Sequence, residues 1–263
     1  MLWLNGFWRT HFLYRRFTLK LNPIRRVIQS ILILYLCHDF NQMEKKIIQT
    51  SDGSSSVYLP EWDENYHSKH GAIQEAYHVF IKSGLDLFKD GSSLGILEMG
   101  LGTGLNCMIT YLEAIKRRLT IDYIGLEGYP LDPNLIFELN HLEQLQAEIE
   151  SEAYKRIQTS DWDRTIKISP KFTLTKREIM FEDYQEKEVV DLIYFDAFGA
   201  RVQPELWTET IFKKMYAALN NNGVIVTYAA KGSVRRAMQA VGFKVERLPG
   251  PPGKREMLRG IKQ

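Results

Sequence analysis

Cysteine is scarce in this chain: Cys37 and Cys107 are the only two among 263 residues, they lie far apart, and they form no C-x-x-C pair. Neither a disulfide framework nor a zinc site is expected, and a reducing, cytoplasmic setting fits best. Long apolar runs are also lacking. Ile31 to Cys37 is too short to cross a bilayer, so no membrane is expected as a partner. His67, His70 and His78 make no metal triad, because the first two precede the helical stretch and no ordered carboxylate joins them, so no metal is expected. No acid precedes Asp39, and residues 1–42 carry six Lys and Arg against that one Asp. The remainder then has 28 basic against 31 acidic side chains, a net charge of −3, so the chain's overall +2 is a property of its N-terminus and no argument for nucleic-acid binding. Three readings of residues 1–42 compete: a transit-like presequence, a membrane-surface anchor, or sequence upstream of a true start at Met43. The last is preferred, since M-E-K-K-I-I-Q-T-S-D-G opens like a soluble protein. At 44% hydrophobic and 25% charged residues, what is present suits one large α/β domain with an appendage. The expected division is an extension over 1–42, a strand and helix appendage over 43–90, and the main domain over 91–263.

The main domain is organised around Leu94 to Asn106, L-G-I-L-E-M-G-L-G-T-G-L-N. The apolar run to Leu97 reads as a buried strand closed by Glu98; Gly100, Gly102 and Gly104 make a turn; Leu105 to Ile115 takes up helical spacing. Glycines this close together let the backbone bend sharply and let a ligand lie against main-chain N–H groups at a helix N-terminus. A dinucleotide fingerprint needs its third glycine at position 105, where Leu105 stands, so an NAD or FAD oxidoreductase is an imperfect match. Glu98 before the glycines suits a cationic ligand and would repel a pyrophosphate.

Downstream, Ile121 to Glu127 is a second strand whose terminal acid, about 25 residues past the glycines, can accept from two ribose hydroxyls. A helix is expected from Tyr129 to Leu145 and an acidic helical insertion over 146–163. Phe172–Thr175 and Val189–Phe195 are the third and fourth strands, the fourth ending in Asp196-Ala197-Phe198. Pro204 begins a helix to Leu219 that Asn221-Asn222-Gly223 closes; Gly223–Ala230 is a fifth strand; Ser233 caps a helix carrying Arg235 and Arg236. Phe243–Leu248 and Glu256–Ile261 flank a G-P-P-G turn. Upstream, Gly71–Leu87 has helical spacing, with polar Glu75 and His78 in or beside its apolar stripe.

The pattern E-x-G-x-G-x-G resembles the first motif of class I S-adenosylmethionine-dependent methyltransferases, and the strand and helix order ending in a hairpin is similar to theirs. That resemblance implies a mostly parallel Rossmann-like α/β sheet with one antiparallel strand. It implies that Glu98 and the backbone of Gly100, Gly102 and Gly104 receive the amino-acid end of S-adenosylmethionine, with Asn106 also binding the cofactor, Glu127 on the ribose and Glu178 near the adenine. More specifically, G-L-G-T-G-L-N (100–106), L-E-G-Y-P-L (126–131), Y-F-D-A-F (194–198), P-E-L-W-T (204–208), A-K-G-S-V-R-R (230–236), V-G-F (241–243) and G-K-R-E-M (253–257) resemble the methyltransferase module of the bifunctional tRNA wobble-uridine modification enzyme MnmC. The resemblance covers roughly residues 50–263. It implies methyl transfer to the amine of 5-aminomethyl-2-thiouridine at the wobble position, with the anticodon loop of tRNA as partner. It also implies that the FAD-dependent oxidase module of the bifunctional proteins is absent here and that a separate enzyme supplies the aminomethyl intermediate. A class I N-methyltransferase acting on a small-molecule or protein amine shares every cofactor feature and is the alternative.

Amine methylation needs a neutral amine aligned with the methyl donor. Asp196, at the end of a central strand, is the expected catalytic carboxylate; capping the strand or holding the cofactor is its alternative role. Tyr66, Phe198 and Trp207 either stack on the base or belong to the core. From Lys231 to the end there are nine Lys and Arg against Glu246 and Glu256. Lys231, Arg235, Arg236, Lys254 and Arg255 are expected to grip phosphates, the alternative being scattered solubilising charges.

Overall fold

In the computed structural model, Phe40 and residues 43–263 are described. The expectations for residues 1–42 fall, Phe40 apart, outside the described residues. Residues 44–263 form one compact unit that holds two sheets.

The smaller sheet contains β1 (Lys46–Gln49), β2 (Ser55–Leu59) and β3 (Glu64–Asn65), all antiparallel. The larger contains β4 (Ser93–Met99), β5 (Thr120–Glu127), β6 (Thr165–Ser169), β7 (Phe172–Glu178), β8 (Val190–Phe195), β9 (Leu219–Thr227), β10 (Lys244–Pro249) and β11 (Glu256–Ile261). Its order is β10-β11-β9-β8-β4-β5-β7-β6. Strands β9, β8, β4, β5 and β7 pair in parallel, which is why Leu192 to Phe195 and Ile96 to Leu97 are apolar on both faces: helices cover each side. The chain order reverses between β4 and β8, and in open α/β sheets ligands bind beyond the carboxyl ends of strands at such a switch point. The glycine turn and Asp196 both lie there.

Two strands, not one, run against the rest. β11 is the expected antiparallel strand; β6 is an addition at the opposite edge, where Ile166 and Ile168 face inward along a five-residue segment too short to stand out beside the acidic insertion. That insertion folds as α5 (Ser151–Thr159), while α3 (Pro133–Phe137) and α4 (His141–Gln144) replace the single helix expected over 129–145. Asn140 separates them because its side chain serves β2: its Oδ1 accepts from the Ser55 N–H and its Nδ2 donates to the Gly53 carbonyl.

Other boundaries shift for local reasons. Helix α1 (Ala72–Ala76) opens into a π-helical turn over Tyr77–Lys82, where the Ser83 hydroxyl donates to the His78 carbonyl. α2 (Leu105–Arg117) follows the glycines as expected. Pro204–Trp207 is a 3₁₀ turn preceding α6 (Glu209–Ala218), and Asn221 to Gly223 lie in an irregular start of β9, not at a helix end. Helix α7 spans Gly232–Ala240 with Lys231 at its cap position, so Ser233 lies inside it and makes no cap bond.

Candidate active site

Beyond Met99 the chain turns through Gly100, Gly102 and Gly104 with φ of 94°, 50° and 71°, all in the region that glycine alone adopts freely. Space is limiting as well. A Cβ on Gly100 would lie 2.8 Å from the Asp196 carbonyl oxygen, one on Gly104 would lie 2.8 Å from Gln158 Nε2, and one on Gly102 would meet the Tyr66 ring at 3.1 Å. The turn is thus held between the end of β8, helix α5 and Tyr66. Gln158 also donates through Nε2 to the Thr103 carbonyl at 3.0 Å. A second tie reaches the small sheet: His67 Nε2 and Thr103 Oγ1 share a hydrogen bond of 2.7 Å, and the His67 N–H donates to Ser56 Oγ.

Glu127, closing β5, accepts from the Gly102 N–H at 3.0 Å and from the Tyr129 N–H at 2.9 Å. Burial raises its pKa, and those N–H groups pull it back down. Glu178 sits opposite Glu127 in the parallel register and is exposed.

Behind the turn, carboxyls converge. Glu98 is fully buried; its Oε2 accepts from the Tyr123 hydroxyl at 2.7 Å and its Oε1 from Asn106 Nδ2 at 2.8 Å. The same Asn106 nitrogen donates to Asp196 Oδ2 at 2.8 Å, so one amide bridges two acids. Burial holds Glu98 well above the usual carboxylate range, with Asp196 and Glu127 pushing the same way. Burial also lifts Asp196 to about 7, aided by the Glu75 charge and opposed by Asn106 and Lys254. Asn106 Oδ1 is buried with no partner.

In front of Asp196 stand groups that periodicity did not single out as functional. Glu75, on α1, accepts from Lys254 Nζ at 2.6 Å, and that ammonium lies 3.8 Å from the centre of the Tyr228 ring. Lys254 therefore departs from its expected place in the phosphate cluster: its charge is turned inward. The pairing spans 179 positions, which no local pattern reveals. A polar Glu75 in an apolar stripe was the available signal for this corner of the site. Phe198 meets Tyr66 edge-on at 5.0 Å between ring centres and Trp62 at 5.7 Å, forming an aromatic wall. Trp207 is core: it packs on Phe195, Phe212 and Tyr228 and donates to the Phe198 carbonyl. Lys231, Arg236 and Arg255 are exposed and Arg235 half-buried, and none has an ion-pair partner among the described residues.

The donor set discriminates between nucleotide ligands. Around the turn lie Glu98, Glu127, Asp196 and the unpartnered Asn106 oxygen. These are acceptors, suited to a ligand carrying ammonium and sulfonium charges and unsuited to a pyrophosphate. The family model described as S-adenosyl-L-methionine-dependent methyltransferase matches residues 141–263, which take in β8, Asp196 and the terminal hairpin. Over those residues the chain is similar to S-adenosylmethionine-dependent methyltransferases.

Among its curated relatives, the tRNA 5-methylaminomethyl-2-thiouridine biosynthesis bifunctional protein MnmC of Leptospira interrogans is 28% identical over 212 residues, covering 76% of this chain and 33% of that protein. The protein of the same name from Ralstonia nicotianae is 29% identical over 209 residues, covering 74% and 31%. The chain thus spans about a third of the length of the curated relatives it matches. The crystal structure of MNMC2 from Aquifex aeolicus superposes with a TM-score of 0.67 at 21% identity, over 98% of this chain and 83% of that one, and shares its fold.

Proposed function

We propose that this protein methylates the primary amine of 5-aminomethyluridine, thiolated or not, at the tRNA wobble position. The observation that carries the reading is Asp196: a carboxyl of raised pKa at the switch point of the sheet, tied by Asn106 to the glycine turn and facing a carboxylate, an ammonium and an aromatic face. The relatives named for 5-methylaminomethyl-2-thiouridine biosynthesis support the choice of substrate.

S-adenosylmethionine supplies an electrophilic methyl group when bound. Glu98 and the turn N–H groups would hold its amino-acid end with Asn106 beside them, Glu127 its ribose, and Glu178 its adenine. The chain's own task is to deliver the amine unprotonated. A substrate alkylammonium brought beside Asp196 loses its proton to the carboxylate. A carboxyl titrating near neutrality accepts that proton more readily than an ordinary aspartate would. Asn106 fixes the receiving carboxyl, and the same carboxylate offsets charge that develops on nitrogen as the N–C bond forms. Tyr66 and Phe198 wall the base, and Lys231, Arg235, Arg236 and Arg255 bind phosphates of the anticodon loop. Helix α7 has no acid in its first turn to compete for them.

The test is incubation with methyl-labelled S-adenosylmethionine and either aminomethylated or unmodified tRNA. Label should enter the wobble nucleoside of the first alone. Label in free amines or proteins, with aminomethylated tRNA unlabelled, would overturn the assignment. Asp196→Asn should lower kcat by about 10²–10⁴ while cofactor affinity is kept, as loss of a general base does.

A further inference from the structure

Lys254 is an internal alkylammonium in a site read as binding one. Its Nζ lies 2.6 Å from Glu75 Oε2 and 3.8 Å from the centre of the Tyr228 ring. A carboxylate and a π-face are the two groups that together recognise an alkylammonium and reject a neutral molecule. The Tyr228 hydroxyl donates to the Ala197 carbonyl, so the ring is fixed one residue beyond Asp196. Both partners of the lysine are sheltered: the Glu75 side chain is only 12% exposed.

The backbone beneath Lys254 is firmly docked. Its N–H donates to the Pro251 carbonyl, the Gly250 N–H donates to the Arg255 carbonyl, and His78 Nε2 donates to the Pro249 carbonyl at 2.8 Å. The His70 ring lies where any side chain on residue 253 would go. The hairpin turn between β10 and β11 is therefore pinned to the segment carrying Glu75, and only the four-methylene stem of Lys254 is free to swing. Outside the turn it has Arg255 as neighbour, an exposed cation without an ion-pair partner among the described residues.

We propose that Glu75 and the Tyr228 ring form the subsite for the substrate amine, and that Lys254 occupies this subsite until RNA is bound, excluding free amines. The inference rests on the tRNA reading for its substrate. RNA phosphate arriving at Arg255 offers Lys254 a second anion; its ammonium leaves Glu75, and the aminomethyl group of the same RNA takes its place beside Asp196. No bond is made or broken in this exchange of one cation for another. It gives the enzyme a reason to ignore small amines that the cofactor cleft alone would not reject.

The experiment uses the full chain with saturating S-adenosylmethionine at pH 8 and n-propylammonium chloride as probe, against sodium chloride at equal ionic strength. The wild type should show no saturable rise in Tm with propylammonium. Lys254→Ala should show one, Lys254→Arg should behave as wild type, and adding Glu75→Gln to Lys254→Ala should abolish it. In the RNA assay, propylammonium should inhibit Lys254→Ala on the order of tenfold more strongly than wild type. A Tm rise with S-adenosylmethionine alone checks that each variant is folded. If Lys254→Ala, so checked, responds to propylammonium no more than wild type, the subsite does not exist. A response undiminished by Glu75→Gln would equally overturn it. Failure of tRNA methylation with the propylammonium response intact would remove the RNA reading and leave the subsite standing.

Discussion

Asp196 and the pair His67 and His141 carry opposite pH signatures. Asp196 titrates near 7 in the fold against an ordinary 3.8. Between those values the folded chain keeps a proton that the unfolded chain releases, so this group lowers stability as pH rises through the window. In the cofactor-free protein, Asp196→Asn should therefore gain Tm relative to wild type between pH 5 and pH 8; a gap that stays constant would contradict the assigned burial. The histidines work the other way. Burial depresses His67 to about 3 and His141 to about 4 from 6.5. The unfolded chain then takes up protons that the fold refuses, and stability falls as pH drops below about 6.5. His67→Gln should flatten this acid loss between pH 6.5 and pH 4, measured as Tm against pH. It should also weaken S-adenosylmethionine binding, because it removes the tie to Thr103. Of these residues the sequence exposes Asp196, through its strand end and D-A-F setting. His67 reads only as one of three unremarkable histidines, since its partners Thr103 and His141 come from distant segments.

At the scale of elements, the glycine turn was fully legible, because positive φ leaves a compositional mark. Its packing was not, because Gln158 and Tyr66 reach it from other parts of the chain. Gly104→Ala meets both constraints at once. It should cost about 1–3 kcal/mol from backbone strain, displace Gln158, and raise the S-adenosylmethionine Kd, as calorimetric titration would measure. Apolar runs found β4, β5 and β8 to within a residue or two, whereas β7 runs on to Glu178 past its expected end at Thr175 and β9 spans Leu219–Thr227 where Gly223–Ala230 was expected. Short or interrupted elements escaped: β6 is five residues long, and α3 and α4 part at an asparagine committed to β2. In the helical layer over β8, Phe212 is fully buried against Phe195 and Trp207. Phe212→Ala should destabilise by roughly 3–5 kcal/mol, read from denaturant midpoints, without altering the pH profile of methyl transfer.

Across the described residues, charge is unevenly placed. Acids converge on the cleft and uncompensated cations gather near α7 and the hairpin turn, a division that a net charge near zero conceals. Reversing Arg235 and Arg236 to Glu should weaken tRNA binding and reduce its salt slope by about 1 to 2 while leaving the S-adenosylmethionine Kd unchanged, as filter binding across salt concentrations would measure. A mostly parallel sheet ending in an antiparallel hairpin was legible from the alternation of strands and helices, but the second antiparallel strand, β6, was not. The small sheet's role was not. His67 joins Thr103 on one side and Ser56 on the other, so the three-stranded sheet braces the turn from outside the larger sheet. A ligand that quiets the turn should therefore slow amide hydrogen exchange at Tyr66, whose N–H donates to the Val57 carbonyl of the small sheet. That protection would report cofactor arrival in the small sheet, through the tie that His67 makes to Thr103.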